Sequence, residues 1–130
     1  MIKTLLPAFE ETDLGARLDA MDPVELDHLD FGVIGFDRAT VVRTYNAFES
    51  KAAGLRRESV VGHPLFKVVA PCMNNFMVAE RFEHAIAAAT TLDVVIQYVL
   101  TLRMRPTRVL LRLIAAPDAA LQYVLVQRRV

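Results

Sequence analysis

The sequence predicts an α+β domain built on one antiparallel five-stranded sheet, and three observations lead there. Strand-like runs come first as a pair and last as a group of three, with helical pieces between them. Turn-forming residues separate the runs where a sheet needs its connections. The last strands are apolar on both faces, as in Val109-Leu110-Leu111-Arg112-Leu113-Ile114, the pattern of a sheet covered on both sides. An antiparallel sheet with helices gathered on one face satisfies this order.

The elements follow in turn. Leu14, Leu18 and Met21 recur at spacings of four and three and share a helical face. Asp22, Pro23 and Glu25 then read as a capping box with proline at the first helical position. Residues 31–36 and 40–45 read as strands joined by the turn Asp37-Arg38-Ala39. From Asn46 to about Val69 short helical pieces are broken by Gly54, Gly62 and Pro64. A longer helix is expected from about Asn75 to Ala89, with Ala79, Phe82, Ile86 and Ala89 on one face and Asn74 or Asn75 as its cap. Residues 92–103, 107–115 and 121–127 supply the remaining strands, broken at Arg105-Pro106 and at Ala116-Pro117-Asp118. The internal helices cover one face of the sheet. Residues 1–28 are the spare material for the other, unless a second subunit covers it.

Bulk properties narrow the function. A chain of 130 residues fits one domain. Fifteen basic and fifteen acidic residues cancel, so no overall field draws in nucleic acid or an anionic membrane. The 54% hydrophobic content slightly exceeds the usual ~45–50%, a hint of a surface covered by a partner or a second copy. A single cysteine excludes an internal disulfide and any argument for an oxidising compartment. The N-terminus turns acidic too soon for a signal peptide, and no apolar run approaches the ~20 residues of a membrane span. The expectation is a cytoplasmic protein with no membrane and no nucleic-acid partner.

The chemistry-bearing residues form a more specific pattern. The stretches Leu-Asp-Phe-Gly-Val-Ile (29–34), Tyr-Asn-Ala-Phe-Glu (45–49) and Gly-His-Pro-Leu-Phe-Lys-Val-Val-Ala-Pro-Cys (62–72), with Met104, Pro106-Thr107 and the closing Arg129-Val130, resemble the photoactive yellow protein family. The resemblance runs from about Leu14 to Val130 and implies a PAS fold, with residues 1–28 as an N-terminal helical cap and 29–130 as the PAS domain. It further implies a blue-light photoreceptor whose 4-hydroxycinnamoyl group (p-coumaric acid, absent from an unloaded form) is a covalent thioester on Cys72. Tyr45 and Glu49 are then the hydrogen-bond donors to its phenolate, and Met104 lies near it and affects recovery. Light isomerises the double bond, Glu49 protonates the group, and the carboxylate left behind loosens the N-terminal cap. Departures from the family pattern are Ala53 for a threonine behind the tyrosine and Leu55 for an arginine shielding the pocket. Leu100 and Leu102 stand where pocket aromatics are usual.

The residues are compatible with that chemistry. Tyr45 and Glu49 lie four apart, so one helical turn aims both at one point. A phenolate withdrawn from water needs donors, and a tyrosine hydroxyl and a protonated carboxyl are suitable ones. Burial raises a carboxyl pKa and keeps Glu49 protonated. Cys72 precedes the expected helix, whose dipole favours a thiolate, and an amide at that helix start can bind a thioester carbonyl.

Blander readings stand beside these. Alone, Cys72 is an inert core cysteine, Tyr45 and Glu49 a surface pair, and Met104 a core filler. His28, His63 and His84 lack metal-ligand spacing, and Glu80 with His84 suits a solvated face. Arginines 103, 105, 108, 112, 128 and 129 read as strand-end charges rather than a nucleic-acid site. No phosphate-binding loop or catalytic triad is present, so no enzyme is read. Two alternatives remain: a non-photoactive PAS sensor for another apolar small molecule, and an interaction module forming a homodimer through the sheet or cap. Either way, output passes to an unknown signalling protein.

Overall fold

A computed structural model describes residues 5–101 and 105–128. Its strands are β1 (Gly32–Phe36), β2 (Val42–Tyr45), β3 (Leu92–Leu100), β4 (Thr107–Ala115) and β5 (Gln122–Arg128). They form one antiparallel sheet in the order β2-β1-β5-β4-β3. The helices are α1 (Leu14–Asp19), α2 (Pro23–Leu26), α3 (Ala47–Ala53), α4 (Arg57–Val60) and α5 (Ala79–Ala88). A π-helical turn at Leu65–Val69 and a 3-10 turn at Pro71–Met73 lie between α4 and α5. Among the described residues no helix is long and apolar enough to cross a membrane.

Strand alternation sorts the apolar side chains onto two faces. Ile34, Phe36, Val124, Val126, Leu111 and Leu113 enter the larger core with Phe66, Val69, Met73 and Phe82 from the intervening segment. Phe31, Val33, Tyr123, Leu125 and Ile114 face the other way and pack with Phe9, Leu14, Leu18, Leu26 and Leu29. The N-terminal segment therefore covers the second face, which is why the late strands carry few polar residues. Burial of these apolar surfaces is the main favourable contribution to folding.

Local chemistry ends each element where it must. Asp22 accepts from the Glu25 amide at 2.8 Å, and the Glu25 carboxylate accepts from the Asp22 amide at 3.0 Å, completing the expected capping box. The β1–β2 turn is held by Asp37, whose side chain accepts from the amides of Ala39 and Val41. Those bonds, that of Val41 foremost and Arg43 as a further partner, hold the Asp37 carboxyl below its ordinary pKa.

One helix differs from expectation. α5 begins only at Ala79, and Asn75 uses its side-chain oxygen on the amides of Met77 and Val78 in the preceding loop. The buried face is Ala79, Phe82 and Ala85; Ile86 is half-buried and Ala89 exposed. Ala89 closes the helix with a positive φ of 52°, which rotates it off the helical face. β3 runs to Leu100, and residues 102 and 103 of the expected strand lie outside the described residues.

Arg112 fastens the N-terminal segment to the sheet. It is 6% exposed and donates to both oxygens of Asp93 at 2.8 and 2.9 Å. Its Nη1 reaches the backbone carbonyls of Phe9 and Glu11, each at 2.8 Å. Replacing Arg112 by Met strands those acceptors, and the expected loss is about 2–4 kcal/mol in urea unfolding. Amide exchange should accelerate first across residues 9–18; equal acceleration throughout the sheet would contradict this anchoring role.

Candidate functional site

The site is assembled where β2 passes into α3. Tyr45 is the last residue of β2, paired with Ile34 across the ladder, and Asn46 is the N-cap of α3. The Asn46 side-chain oxygen accepts from the amides of Glu49 at 3.1 Å and Val33 at 2.9 Å. Its nitrogen donates to the carbonyls of Leu26 at 2.9 Å and Phe31 at 3.1 Å. An asparagine amide has two donors and one acceptor oxygen, so this buried side chain is fully occupied.

Tyr45 and Glu49 are both buried, and the Glu49 charge acts on the Tyr45 phenol, though for another reason than the one their spacing suggests. Tyr45 is on a strand and does not share a helical turn with Glu49. The cap at Asn46 turns the chain abruptly, so the first turn of α3 carries Glu49 back over β1. Both are buried, at 3% and 2% exposure, so they are not a surface pair. Glu49 lies so close to β1 that a Cβ on Gly32 would sit 2.0 Å from its Oε1; only glycine leaves that room.

Glu49 has a partner that the sequence reading assigned to the strand ends. Arg128, the last residue of β5, donates from Nη1 to Oε1 at 2.6 Å and from Nη2 to Oε2 at 3.0 Å. Its side chain is 18% exposed. Such a two-pronged pair is the strongest form of guanidinium–carboxylate contact. Burial raises the Glu49 pKa, and the hydrogen bonds and charge of Arg128 oppose that rise without cancelling it. Burial likewise raises the Tyr45 phenol, helped by the Glu49 charge and opposed by Arg128, so Tyr45 is a hydrogen-bond donor across the physiological range. The signal for Arg128 was in the alternation of β5: it is in phase with Val124 and Val126, which enter the larger core.

Cys72 sits at the centre of the Pro71–Met73 turn, half-buried and packed against the larger core. With α5 starting at Ala79, Cys72 does not lead directly into that helix, and the argument from its dipole does not apply. The turn is instead held through its backbone. Tyr98 Oη donates to the Cys72 carbonyl at 2.5 Å, and Asn75 donates to the same carbonyl at 3.1 Å and to Tyr98 Oη at 2.6 Å. Asn75 and Tyr98 also line a groove of about 770 Å³ that includes Met77, Val99 and Val109.

The remaining expected positions divide. Ala53 is buried, and Leu55 is half-buried against the larger core that contains Tyr45 and Leu100. Met104 and Leu102 lie outside the described residues. Residues unforeseen from sequence are Arg128, Asn46, Tyr98 and Arg57. Arg57 donates to the Tyr45 carbonyl at 2.8 Å and to Asp27 at 2.7 Å, and Asp27 also accepts from the Ala47 amide at 2.8 Å.

A five-stranded antiparallel sheet in this order with a helical segment on one face defines a PAS-type module, and the PAS fold family model matches residues 26–126. Over 101 residues the chain is 31% identical to photoactive yellow protein from Rhodothalassium salexigens, covering 78% of this chain and 80% of that one. Identity to photoactive yellow protein from Halochromatium salexigens is 34% over the same coverage. The photoactive yellow protein domain of the sensor histidine kinase Ppr from Rhodospirillum centenum superposes with a TM-score of 0.79 at 32% identity, covering 87% of this chain and 98% of that one. A quorum-sensing receptor PAS domain from Cronobacter turicensis, at 12% identity and TM-score 0.61, shares the fold alone, covering 79% of this chain and 97% of that one. The chain belongs to the photoactive yellow protein family.

The raised Glu49 pKa makes stability depend on pH. Because the folded value lies above the ordinary 4.5, folding favours the protonated form. The stabilisation is complete below the unfolded pKa and is lost as pH rises through the folded one. The Glu49→Gln protein should therefore gain stability relative to wild type as pH rises through that window. Parallel urea melts from pH 4 to 8 would show it; a constant difference would mean that Glu49 titrates alike folded and unfolded.

Proposed function

We propose that the chain is a photoreceptor domain that carries a 4-hydroxycinnamoyl group as a thioester on Cys72. The observation that carries this reading is the burial together of Tyr45 and Glu49 in a chain of this family, with Cys72 packed on the same core. The donor chemistry fits. The Tyr45 hydroxyl is a buried phenol that stays protonated, Glu49 is a carboxyl with a raised proton affinity, and Cys72 is half-buried and unpaired. Bound there, the group would supply a double bond that isomerises on absorbing light.

Each residue of the chain then has a task. Cys72 Sγ bonds the acyl carbon of an activated donor, whose leaving group departs while the thiol proton passes to solvent. Tyr98 and Asn75 orient the turn through its carbonyl, and Tyr45 donates a hydrogen bond at the far end. Glu49 holds or gives up a proton there. Ala53 and Leu55 make that end more apolar, which is expected to alter colour and recovery. A change at Glu49 would reach residues 26–31 through Asn46, and Asp27 through Arg57, because those side chains bond both sides. In this reading the segment up to residue 28 is a releasable cap on the domain of residues 29–130, and the downstream partner is a signalling protein.

A second reading, a PAS sensor for another apolar molecule, is favoured by the groove beside Tyr98 and by Leu55 and Leu100. Mixing the protein with activated 4-hydroxycinnamic acid decides between them. A red-shifted absorbance band is expected in wild type and not in Cys72→Ala, with reversible bleaching under blue light. No band in wild type would reject the photoreceptor reading, and ligand binding that survives Cys72→Ser in full would favour the second.

A further inference from the structure

The strand-end arginines are not equivalent. Arg105 and Arg108 are exposed, whereas Arg128 turns inward along the core face of β5 and spends both prongs of its guanidinium on Glu49. Tyr45 on β2 and Arg128 on β5 are the titratable groups that act with Glu49 among the described residues. Leu55, where the family resemblance implies an arginine, contributes no charge. With the carboxyl ionised, the form that its two-pronged contact with the guanidinium fits, the unloaded cluster holds one cation, one anion and a neutral phenol.

Adding an anionic oxygen to this cluster would leave a net negative charge in a region withdrawn from water, which is strongly disfavoured. Neutrality returns when one proton is taken from solvent by Glu49, provided that the guanidinium then faces the newcomer. Among the described residues, Arg128 is the cation that acts on both Tyr45 and Glu49 and so the one placed to offset the incoming charge.

We propose that Arg128 is the counter-cation of the ligand site: it holds Glu49 ionised while the site is unloaded, and turns to an anionic ligand oxygen as Glu49 takes up one proton. The ligand half of this proposal rests on the photoreceptor reading above. The Glu49–Arg128 half stands on the unloaded protein. The site would accordingly prefer aromatic ligands ending in an acidic oxygen over neutral ones of the same shape.

The test has two arms. In unloaded protein, the Glu49 carboxyl is titrated by carbon-13 NMR, with Glu49→Gln assigning the signal. In Arg128→Gln its midpoint should rise by about one pH unit or more, a tenfold gain in proton affinity. Arg128→Lys, which preserves the charge, should keep most of the wild-type value and controls for a fold disturbed by the glutamine. An unchanged midpoint in Arg128→Gln overturns the proposal regardless of ligand. In protein loaded with activated 4-hydroxycinnamic acid, the visible band is titrated. The bound phenol should ionise about one pH unit higher in Arg128→Gln, and adding Leu55→Arg should lower it again. Equal titration in wild type and Arg128→Gln overturns the counter-cation role. Failure of wild type to load at all rejects the photoreceptor reading and the ligand half with it, while the carboxyl titration still decides whether Arg128 holds Glu49 ionised.

Discussion

A carboxyl group withdrawn from water has to be paired or protonated, and much of this molecule's polar architecture follows from meeting that requirement at Glu49. An isolated buried carboxylate is too costly to persist. Arg128 therefore comes inward from the end of β5, and Gly32 leaves room for the carboxylate against β1. A buried ion pair is not by itself a source of stability, since desolvating both partners offsets most of their attraction. Its place beside an otherwise apolar core fits the proposed site, in which the proton affinity of Glu49 is the property that matters.

The same requirement explains the density of backbone bonds around α3. A seven-residue helix is too short to hold its own geometry, so the position of Glu49 depends on Asn46. By satisfying the Glu49 and Val33 amides and the Leu26 and Phe31 carbonyls at once, Asn46 joins helix, sheet and N-terminal segment in one side chain. Arg57 and Asp27 add a parallel tie through the Tyr45 carbonyl. On the far face Arg112 repeats the arrangement, joining β3, β4 and the carbonyls of Phe9 and Glu11. The N-terminal segment is thus anchored at both ends by polar contacts, over an apolar interface that would otherwise allow sliding.

The Cys72 end follows a different rule. α5 starts well beyond the cysteine, and the Cys72 turn is positioned by a tyrosine and an asparagine acting on the backbone carbonyl. That leaves the sulfur itself uncommitted. It also couples the turn to β3, one of the two edge strands of the sheet. Backbone anchoring of this kind fixes the direction of a side chain without engaging it, which suits a residue proposed to form a bond with a ligand.

Much of the fold could be read from the chain, because two periodicities and a few stop signals are local properties. The β4 bounds, the Asp22 capping box and the turn after Phe36 depend on neighbours a few residues away. The start of α5 was misread because Asn75 spends its side chain on a loop and on Tyr98, a choice made by a residue 23 positions distant. Tyr45 and Glu49 were legible as a pair, but their meeting is set by a strand-to-helix turn rather than by a shared helix. The β5 alternation marks Arg128 as facing the larger core, but its partner is not legible, because 79 residues separate it from Glu49. The sequence alone determined the order of strands and helices, the two-sided sheet and the residue types at the site. Only the tertiary structure decided which charge meets the buried carboxyl, because that depends on which strand ends the sheet brings together.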